Sequence, residues 1–386
     1  MEITQELTNK YIANTYGRTP VTLSHGEGSV VYDTEGKRYI DLGTGIAVNC
    51  FGIADPVWIA AVTAQLSALQ HTSNLYYTAP AARLAQLLCE KTGMENVFFS
   101  NSGAEANECA IKTARRRAFQ IWGDTSHSAI VTLKGSFHGR TLATLSATGQ
   151  DKFHTEFGPF VEGFYYAAPG DLDDLRRLCD DHTPCAVMLE TVQGEGGVNV
   201  LESAYLREVE ALCRQRDMLL IIDEVQTGNG RTGALYSYMH HGIMPDIITT
   251  AKGLAGGLPM GATLFSARCA EVLTPGSHGS TFGGNPVAAA GAVSIIERLD
   301  DALLSGVRRK EALIREGLSD VCEITGRGLM LGLRCEKDAA EIVSAAVEAG
   351  VLALTAKDKV RLLPALNIPD ALLTEAISVL RQIIVK

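Results

Sequence analysis

The chain is constrained most by a set of short apolar runs that do not alternate with polar residues. Leu219 to Ile222 reads LLII, and Ile247 and Ile248 open a second run in PDIITT. A half-exposed strand alternates, because successive side chains face opposite sides; a run apolar at every position is covered on both faces, as in a parallel sheet. Further runs near 97–100, 129–133, 185–189 and 262–265 are separated by stretches of helical character, 55–70 and 203–216 among them. Strands and helices alternating at that spacing predict an α/β fold whose mainly parallel sheet is flanked by helices.

Both runs have a charged residue at their exit. Asp223 ends the first, and Lys252 follows the second and enters the glycine-rich stretch Gly253, Gly256, Gly257. An acid at a buried strand end needs a cation or hydrogen-bond donors, since desolvation disfavours its charged form. Taken alone, Asp223 fits an ordinary strand-end acid that caps a loop or meets an arginine, and Lys252 fits a solvated lysine. Taken together they suit an aldehyde cofactor whose ring nitrogen pairs with a carboxylate and whose aldehyde carbon takes an amine, as pyridoxal 5′-phosphate (PLP) does.

A place for the phosphate follows from 96–116, NVFFSNSGAEANECAIKTARR, which predicts a strand, a turn of small residues and a helix beginning near Ser102, Gly103 and Ala104. A helix N-terminus offers unpaired N–H groups and the positive end of the dipole, so it holds an anion without basic side chains. Ser102 acting only as an N-cap explains the same residues. No Walker lysine and no GxGxxG after a strand support a nucleotide site. In SFHGRT, Phe137 could cover a planar ring and Arg140 could clamp a carboxylate, or they are a core aromatic and a surface arginine.

Laid side by side, these segments resemble the class III (ω-amino acid) aminotransferases of PLP fold type I. The likeness runs through HGEGSVVYDTEGKRYIDLGTGIAVN, SNLYY, SNSGAEANE, SFHGRTLATLSATG, VQGEGGV, DEVQTGNGRTG, AKGLAGGLPMGA and HGSTFGGNP, covering nearly the whole chain. It implies that Lys252 links covalently to PLP and Asp223 faces the ring nitrogen. Val225 and Phe137 would lie on the two ring faces and Gln226 near the ring hydroxyl. Ser102, Gly103 and Ala104 would hold the phosphate, with Thr281 reaching it from a neighbouring subunit; a homodimer with shared active sites follows. Substrate binding would fall to Arg140 assisted by Tyr16, to Ser280, and to Arg361, which takes the α-carboxylate of glutamate and is covered by Glu195 when the other donor is bound. Glu190 and Gln193 line the same loop.

The resemblance further implies a ping-pong transfer of the terminal amine of an acylated ornithine to 2-oxoglutarate, in arginine biosynthesis. Gly45 and Ile46 stand at the entrance where ornithine δ-aminotransferases carry a tyrosine suited to a free α-amino group, which favours an acylated amine; simple packing explains them equally. Succinylornithine, succinyl-diaminopimelate, ornithine and 4-aminobutyrate remain alternative donors, and a PLP enzyme of another reaction class or a non-catalytic relative remain alternative readings. The chain departs from the family pattern at Ile53 and Asp55 in GIADP, at Thr191 before VQGEGG and at Asn229 in GNGRTG.

Composition narrows the setting. At 386 residues, 46% hydrophobic and 20% charged, the chain suits a soluble globular enzyme of more than one domain. Its net charge of −10 argues against nucleic acid as partner. Nine cysteines, odd in number and without a CxxC pair, predict reduced packing residues rather than disulfides or a metal site. No leader or long apolar span is visible, so no membrane partner is expected and cytoplasm is the expected location. Residues 1–45 form an N-terminal segment with a hairpin, VVYDTEG then KRYIDL, turning at Glu35 and Gly36. This segment is expected to pack with a smaller α+β domain at 285–386, which has helices near 286–300 and 369–385. Residues 46–284 form the large PLP-binding domain.

Overall fold

The structure, a computed structural model, describes residues 3–386. Its centre is a seven-stranded sheet in the order Asn96–Ser100, Gly261–Phe265, Ile247–Thr250, Leu219–Asp223, Ala186–Leu189, Ile130–Leu133, Phe164–Ala167. Gly261–Phe265 runs antiparallel to both neighbours, and the other contacts between adjacent strands are parallel. Leu219–Asp223 and Ile247–Thr250 are buried at every position, as their unbroken apolar runs require. The strand Phe164–Ala167 was not anticipated. It lies at the sheet edge with its two tyrosines only partly buried, so it lacks the aliphatic run that marks the central strands.

Helices cover both faces. Gly103–Trp122 lays Ala106, Cys109, Ala110 and Ala114 against the sheet, small residues that let the axis come close. On the other side Pro286–Ile296 begins at Asn285, whose side chain caps Val287 N and Ala288 N, and packs its alanines against Pro56–Ala68 and Ala79–Thr92. It stops four residues short of the expected end. A separate helix, Asp301–Leu318, follows after an Asp300 cap.

The expected hairpin is present: Val30–Asp33 pairs with Arg38–Asp41, and Asp33 Oδ1 accepts from Glu35 N and Lys37 N at 2.9 Å each. Gly36 has φ +84°, a backbone that favours glycine. Leu23–Glu27 joins one edge of this sheet, and Val351–Leu352 adds a parallel strand at the other. A second four-stranded sheet, Glu323–Arg327, Met330–Arg334, Lys359–Leu362 and Leu354–Ala356, is antiparallel throughout. One hydrophobic cluster runs from the large sheet into the helices around these strands. Among the described residues, no helix is long and apolar enough to cross a membrane.

Candidate active site

The parallel strands end on one side of the large sheet, where ligands of such folds lie. A cavity of about 580 Å³ opens there, lined by the exits of the Ala186–Leu189, Leu219–Asp223 and Ile247–Thr250 strands, the first turn of Gly103–Trp122 and the segment 137–140. Its deepest carboxylate is Asp223, 3% exposed. Asp223 Oδ2 accepts from Asn107 Nδ2 at 2.8 Å and meets His138 Nδ1 at 2.8 Å, while Oδ1 accepts from Val225 N at 2.9 Å. Asn107 is itself fixed: Thr249 Oγ1 donates to its Oδ1 at 2.6 Å and its amide also reaches His138 O at 2.7 Å. Sequence reasoning missed Asn107 and His138 as partners, though both lie inside motifs it quoted. The available signal was Asn107 itself, a polar residue on the small apolar face formed by Ala106 and Ala110.

Lys252 lines the same cavity, and among the described residues its Nζ makes no hydrogen bond or ion pair. Burial lowers its ammonium pKa from the usual lysine range and the Arg361 guanidinium adds to this, against the opposing pull of Glu195, Asp223 and Glu190. Its φ of +46° is a left-handed backbone that a lysine rarely adopts. The next residue must be glycine, since a Cβ on Gly253 would lie 2.4 Å from Cys50 Sγ. Asn229 ties down the strand that delivers Lys252, donating to Thr250 Oγ1 at 2.9 Å and Ala251 O at 3.1 Å.

At the start of Gly103–Trp122, Ser102 Oγ accepts from Glu105 N at 3.1 Å, so Ser102 is an N-cap and a cavity residue at once. A Cβ on Gly103 would stand 2.6 Å from Val225 Cγ1, so glycine lets the helix terminus crowd against Val225. Phe137, Val225, Ala104 and Gln226 also line the cavity. Arg140 is at the mouth, its guanidinium 4.2 Å from the Phe153 ring centroid and 5.5 Å from that of Phe137. Tyr16 lines the mouth as well and is 71% exposed.

Arg361 and Glu195 are not among the residues that line the cavity but join it through Gln226, which is: Arg361 Nη1 pairs with Glu195 Oε1 at 2.5 Å and donates to Gln226 Oε1 at 3.0 Å, and Gln226 Nε2 reaches Glu195 Oε1 at 3.2 Å. Burial pushes the Glu195 carboxyl up, but Arg361, with Lys252 and Gln226, outweighs it and holds the group below its usual value. Arg361 Nε is buried and has no hydrogen-bond partner among the described residues. Beside this pair Glu190 accepts from Phe137 N at 3.1 Å and Gly194 N at 3.2 Å, and burial raises its pKa to about 7.

Some expected residues fall elsewhere. Ser280 and Thr281 line a separate cleft with Phe98, Glu105, Glu108 and His278; Asn101, which lines both spaces, donates to Ser280 Oγ at 3.1 Å. Gly45 and Ile46 do not line the cavity, while Val48 does. Thr44, Gly45, Ile46 and Ala47 all have φ between +47° and +66°, one left-handed turn that leaves Ile46 41% exposed. The turn is held by Asp41 Oδ1, which accepts from Gly43 N and Thr44 N at 2.8 Å each, and by Thr44 Oγ1 donating to Leu363 O at 2.6 Å. Besides Asn229, two further departures from the family pattern have structural work: Asp55 caps Pro56–Ala68 and grips Arg298 at 2.7 and 3.0 Å, and Thr191 donates to Ser237 Oγ at 2.7 Å.

A buried acid at a strand exit, an unpaired amine with a depressed pKa and a helix N-terminus meeting in one cavity define a PLP-type site on an α/β scaffold. Residues 11–384 match the family described as aminotransferase class-III. The chain is 49% identical over 385 residues to the acetylornithine aminotransferase of Haemophilus ducreyi, covering 98% of each, and 44% identical to that of Aquifex aeolicus, covering 97% of this chain and 100% of the relative. Among solved structures it superposes on the ornithine aminotransferase of Toxoplasma gondii with a TM-score of 0.95 at 32% identity, covering 99% of this chain and 94% of that one. The N-acetylornithine aminotransferase of Stenotrophomonas maltophilia gives 0.86 at 37% identity, covering 98% of each. The chain belongs to the class III aminotransferase family; it is an aminotransferase, and its cofactor is pyridoxal 5′-phosphate.

Proposed function

We propose that this protein transfers the terminal amino group of an N-acylated ornithine, N-acetylornithine first among them, to 2-oxoglutarate, giving the semialdehyde and glutamate by a ping-pong sequence in arginine biosynthesis. The observation that carries this reading is the buried Glu195–Arg361 pair beside Lys252. Glutamate presents a carboxylate next to the reacting carbon and an acylated ornithine does not. A buried guanidinium that pairs with the substrate in one half-reaction and with Glu195 in the other serves both, since an unpaired buried cation is costly. The relatives from Haemophilus ducreyi and Aquifex aeolicus support the acylated donor.

PLP, when bound, supplies an aldehyde carbon for an amine and a protonated ring that draws off electrons. The residues fit it: Asp223, oriented by Asn107 and His138, would offer a carboxylate to the ring nitrogen, Val225 and Phe137, which both line the cavity, would cover the ring, and the backbone at Gly103 and Ala104, with Ser102, would hold the phosphate. Lys252 is the amine that would hold the aldehyde. Its depressed pKa keeps Nζ neutral enough to take a proton from the substrate carbon and return it to the product. Arg140, with Tyr16, takes the distal carboxylate of either substrate at the mouth.

The dimer and its shared sites belong to the same proposal: Thr281 and Ser280 lie on a cleft outside their own cavity, as residues serving a partner's phosphate do. So do the division into 1–45, 46–284 and 285–386 and a cytoplasmic location. The test is a panel of half-reactions on holoenzyme. Glutamate and N-acetylornithine should each convert the cofactor to its amine form, followed by its visible spectrum, with ornithine and 4-aminobutyrate far slower. Ornithine reacting faster than N-acetylornithine overturns the substrate assignment, and no conversion by glutamate overturns the pairing of substrates.

A further inference from the structure

Cys322 and Cys335 flank the hairpin Glu323–Arg327, Met330–Arg334, in which Glu323 stands opposite Arg334. One step further along that register Cys322 faces Cys335. The phase of the ladder decides how near they come. Gly328 and Leu329 form a two-residue connection, so the innermost pair, Arg327 and Met330, is hydrogen-bonded and the pairs alternate outward from it. Thr325 and Glu323 then fall on hydrogen-bonded positions, and Gly326, Ile324 and Cys322 on the others. The outward groups agree: the carbonyls of Ile324 and Gly326 accept from Arg315 at 3.1 and 2.9 Å, and Cys322 N donates to Leu318 O at 3.1 Å. At a non-hydrogen-bonded pair the Cα atoms approach to about 4.5 Å, near the short end of the roughly 4.4–6.8 Å that a disulfide spans.

Access separates this pair from the other thiols. Cys50, Cys109, Cys179, Cys185, Cys213 and Cys269 are buried, while Cys89, Cys322 and Cys335 are partly exposed. We propose that Cys322 and Cys335 are a reversible oxidation site, a facing pair of thiols that a small soluble disulfide such as oxidised glutathione converts to a cross-strand disulfide. Cys335 is the attacking group, since the neighbouring Cys322 thiol holds its pKa below the usual thiol value against the opposing effect of burial. Its thiolate attacks one sulfur of the glutathione disulfide, forming a mixed disulfide and releasing one glutathione thiolate. Cys322, giving up its proton, attacks the Cys335 sulfur and releases the second glutathione. Two electrons pass from the pair to the oxidant.

The test uses intact holoenzyme exposed to oxidised glutathione, alkylated, and digested with trypsin without reductant. Cleavage at Arg315, Arg327, Arg334 and Lys337 places the two cysteines on separate peptides, 316–327 and 335–337. The expected result is these two peptides joined by a disulfide, two fewer free thiols per chain, reversal by dithiothreitol, and Cys89 outside any link. In Cys335→Ser the link should vanish while Cys322 stays free or bears glutathione. The proposal is overturned if Cys322 and Cys335 stay free, if each carries its own glutathione, or if either links to a different cysteine. The measurement on the unaltered chain decides the matter even if the variant folds poorly.

Discussion

Around Asp223 every polar partner comes from the large sheet and the segments packed on it; around Arg361, which reaches the cavity through Gln226, the partners come from three separate places. Asp223, Asn107, His138 and Thr249 form one network of bonds between 2.6 and 2.8 Å. Arg361 sits on a strand of the small antiparallel sheet, Gln226 just past a strand of the large sheet, and Glu195 on the loop between Val192–Gln193 and Asn199–Val200. That loop docks on the small sheet through Val198, in left-handed backbone at φ +55°. Val198 fits a socket made by two glycines: a Cβ on Gly326 would come within 2.9 Å of Val198 Cγ1, and one on Gly332 within 3.0 Å of Val198 Cβ. The contrast separates two tasks. In the proposed roles, the acid that would face the ring nitrogen is built into rigid scaffold, whereas Glu195, which would leave Arg361 when glutamate binds, is carried on a loop held from its far side.

The sharpest way to break the contrast is at the amine. Lys252→Ala should cost about 10³-fold or more in turnover, near the upper range for loss of a general base, and should leave the cofactor without the visible signature of its lysine linkage. Asp223→Ala should cost about 10²-fold or more while the apoprotein stays folded by circular dichroism. Full activity in either purified variant removes the role assigned to it. The gate behaves differently. Glu195→Ala leaves Arg361 buried without its carboxylate, so the acylornithine half-reaction should slow by about 10-fold or more while the glutamate half-reaction, in which substrate meets Arg361, changes by less than about 3-fold. Equal losses in both would show that Glu195 is not a gate.

Next in size is an effect on stability rather than rate. Glu224, beside Asp223, is buried and bonded to Thr227 Oγ1 at 2.5 Å and Tyr238 N at 2.8 Å, and burial raises its pKa from 4.5 to about 7. Between those values the folded state binds more protons than the unfolded, so wild type loses stability as pH rises through that window, and the loss levels off above it. Glu224→Gln should lack this part of the slope: its Tm should gain on wild type between pH 4.5 and 7 and run parallel beyond. Parallel Tm curves across the whole range would place the Glu224 carboxyl at its ordinary pKa.

Much of the scaffold was open to sequence reasoning because burial on both faces leaves an unbroken apolar run, as at Leu219–Asp223 and Ile247–Thr250. Phe164–Ala167 escaped because an edge strand needs cover on fewer sides. Asp223 and Lys252 were visible as charges at strand exits; their partners were not, since Asn107 and His138 are brought to Asp223 by packing between distant segments, which no local spacing records. The left-handed turn at 44–47 was hidden for another reason. Thr44, Ile46 and Ala47 each disfavour that backbone, so bonds from the distant Asp41 and Leu363, beside the turn's own backbone bonds, hold it, and the residue it delivers to the cavity is Val48 rather than its neighbours.

The smallest effect tests how the gate is held. Lys359 is 2% exposed and, among the described residues, meets no carboxylate at ion-pair distance; its Nζ donates to Asn199 Oδ1 at 3.2 Å and Thr325 Oγ1 at 2.9 Å. Asn199 Nδ2 in turn donates to Gly196 O at 2.9 Å, next to Glu195. Lys359 and Arg361 alternate along one strand and so share a face: Arg361 engages the Glu195 side chain, and Lys359, through Asn199, the backbone behind it. Lys359→Met keeps an unbranched side chain one atom shorter, removes the buried charge and cuts that tie. It should leave the glutamate half-reaction unchanged and slow the acylornithine half-reaction by about 2- to 5-fold, the scale of one lost hydrogen bond of roughly 0.5–1 kcal/mol. A variant that loses both half-reactions together would make Lys359 a support of the whole sheet rather than of the gate.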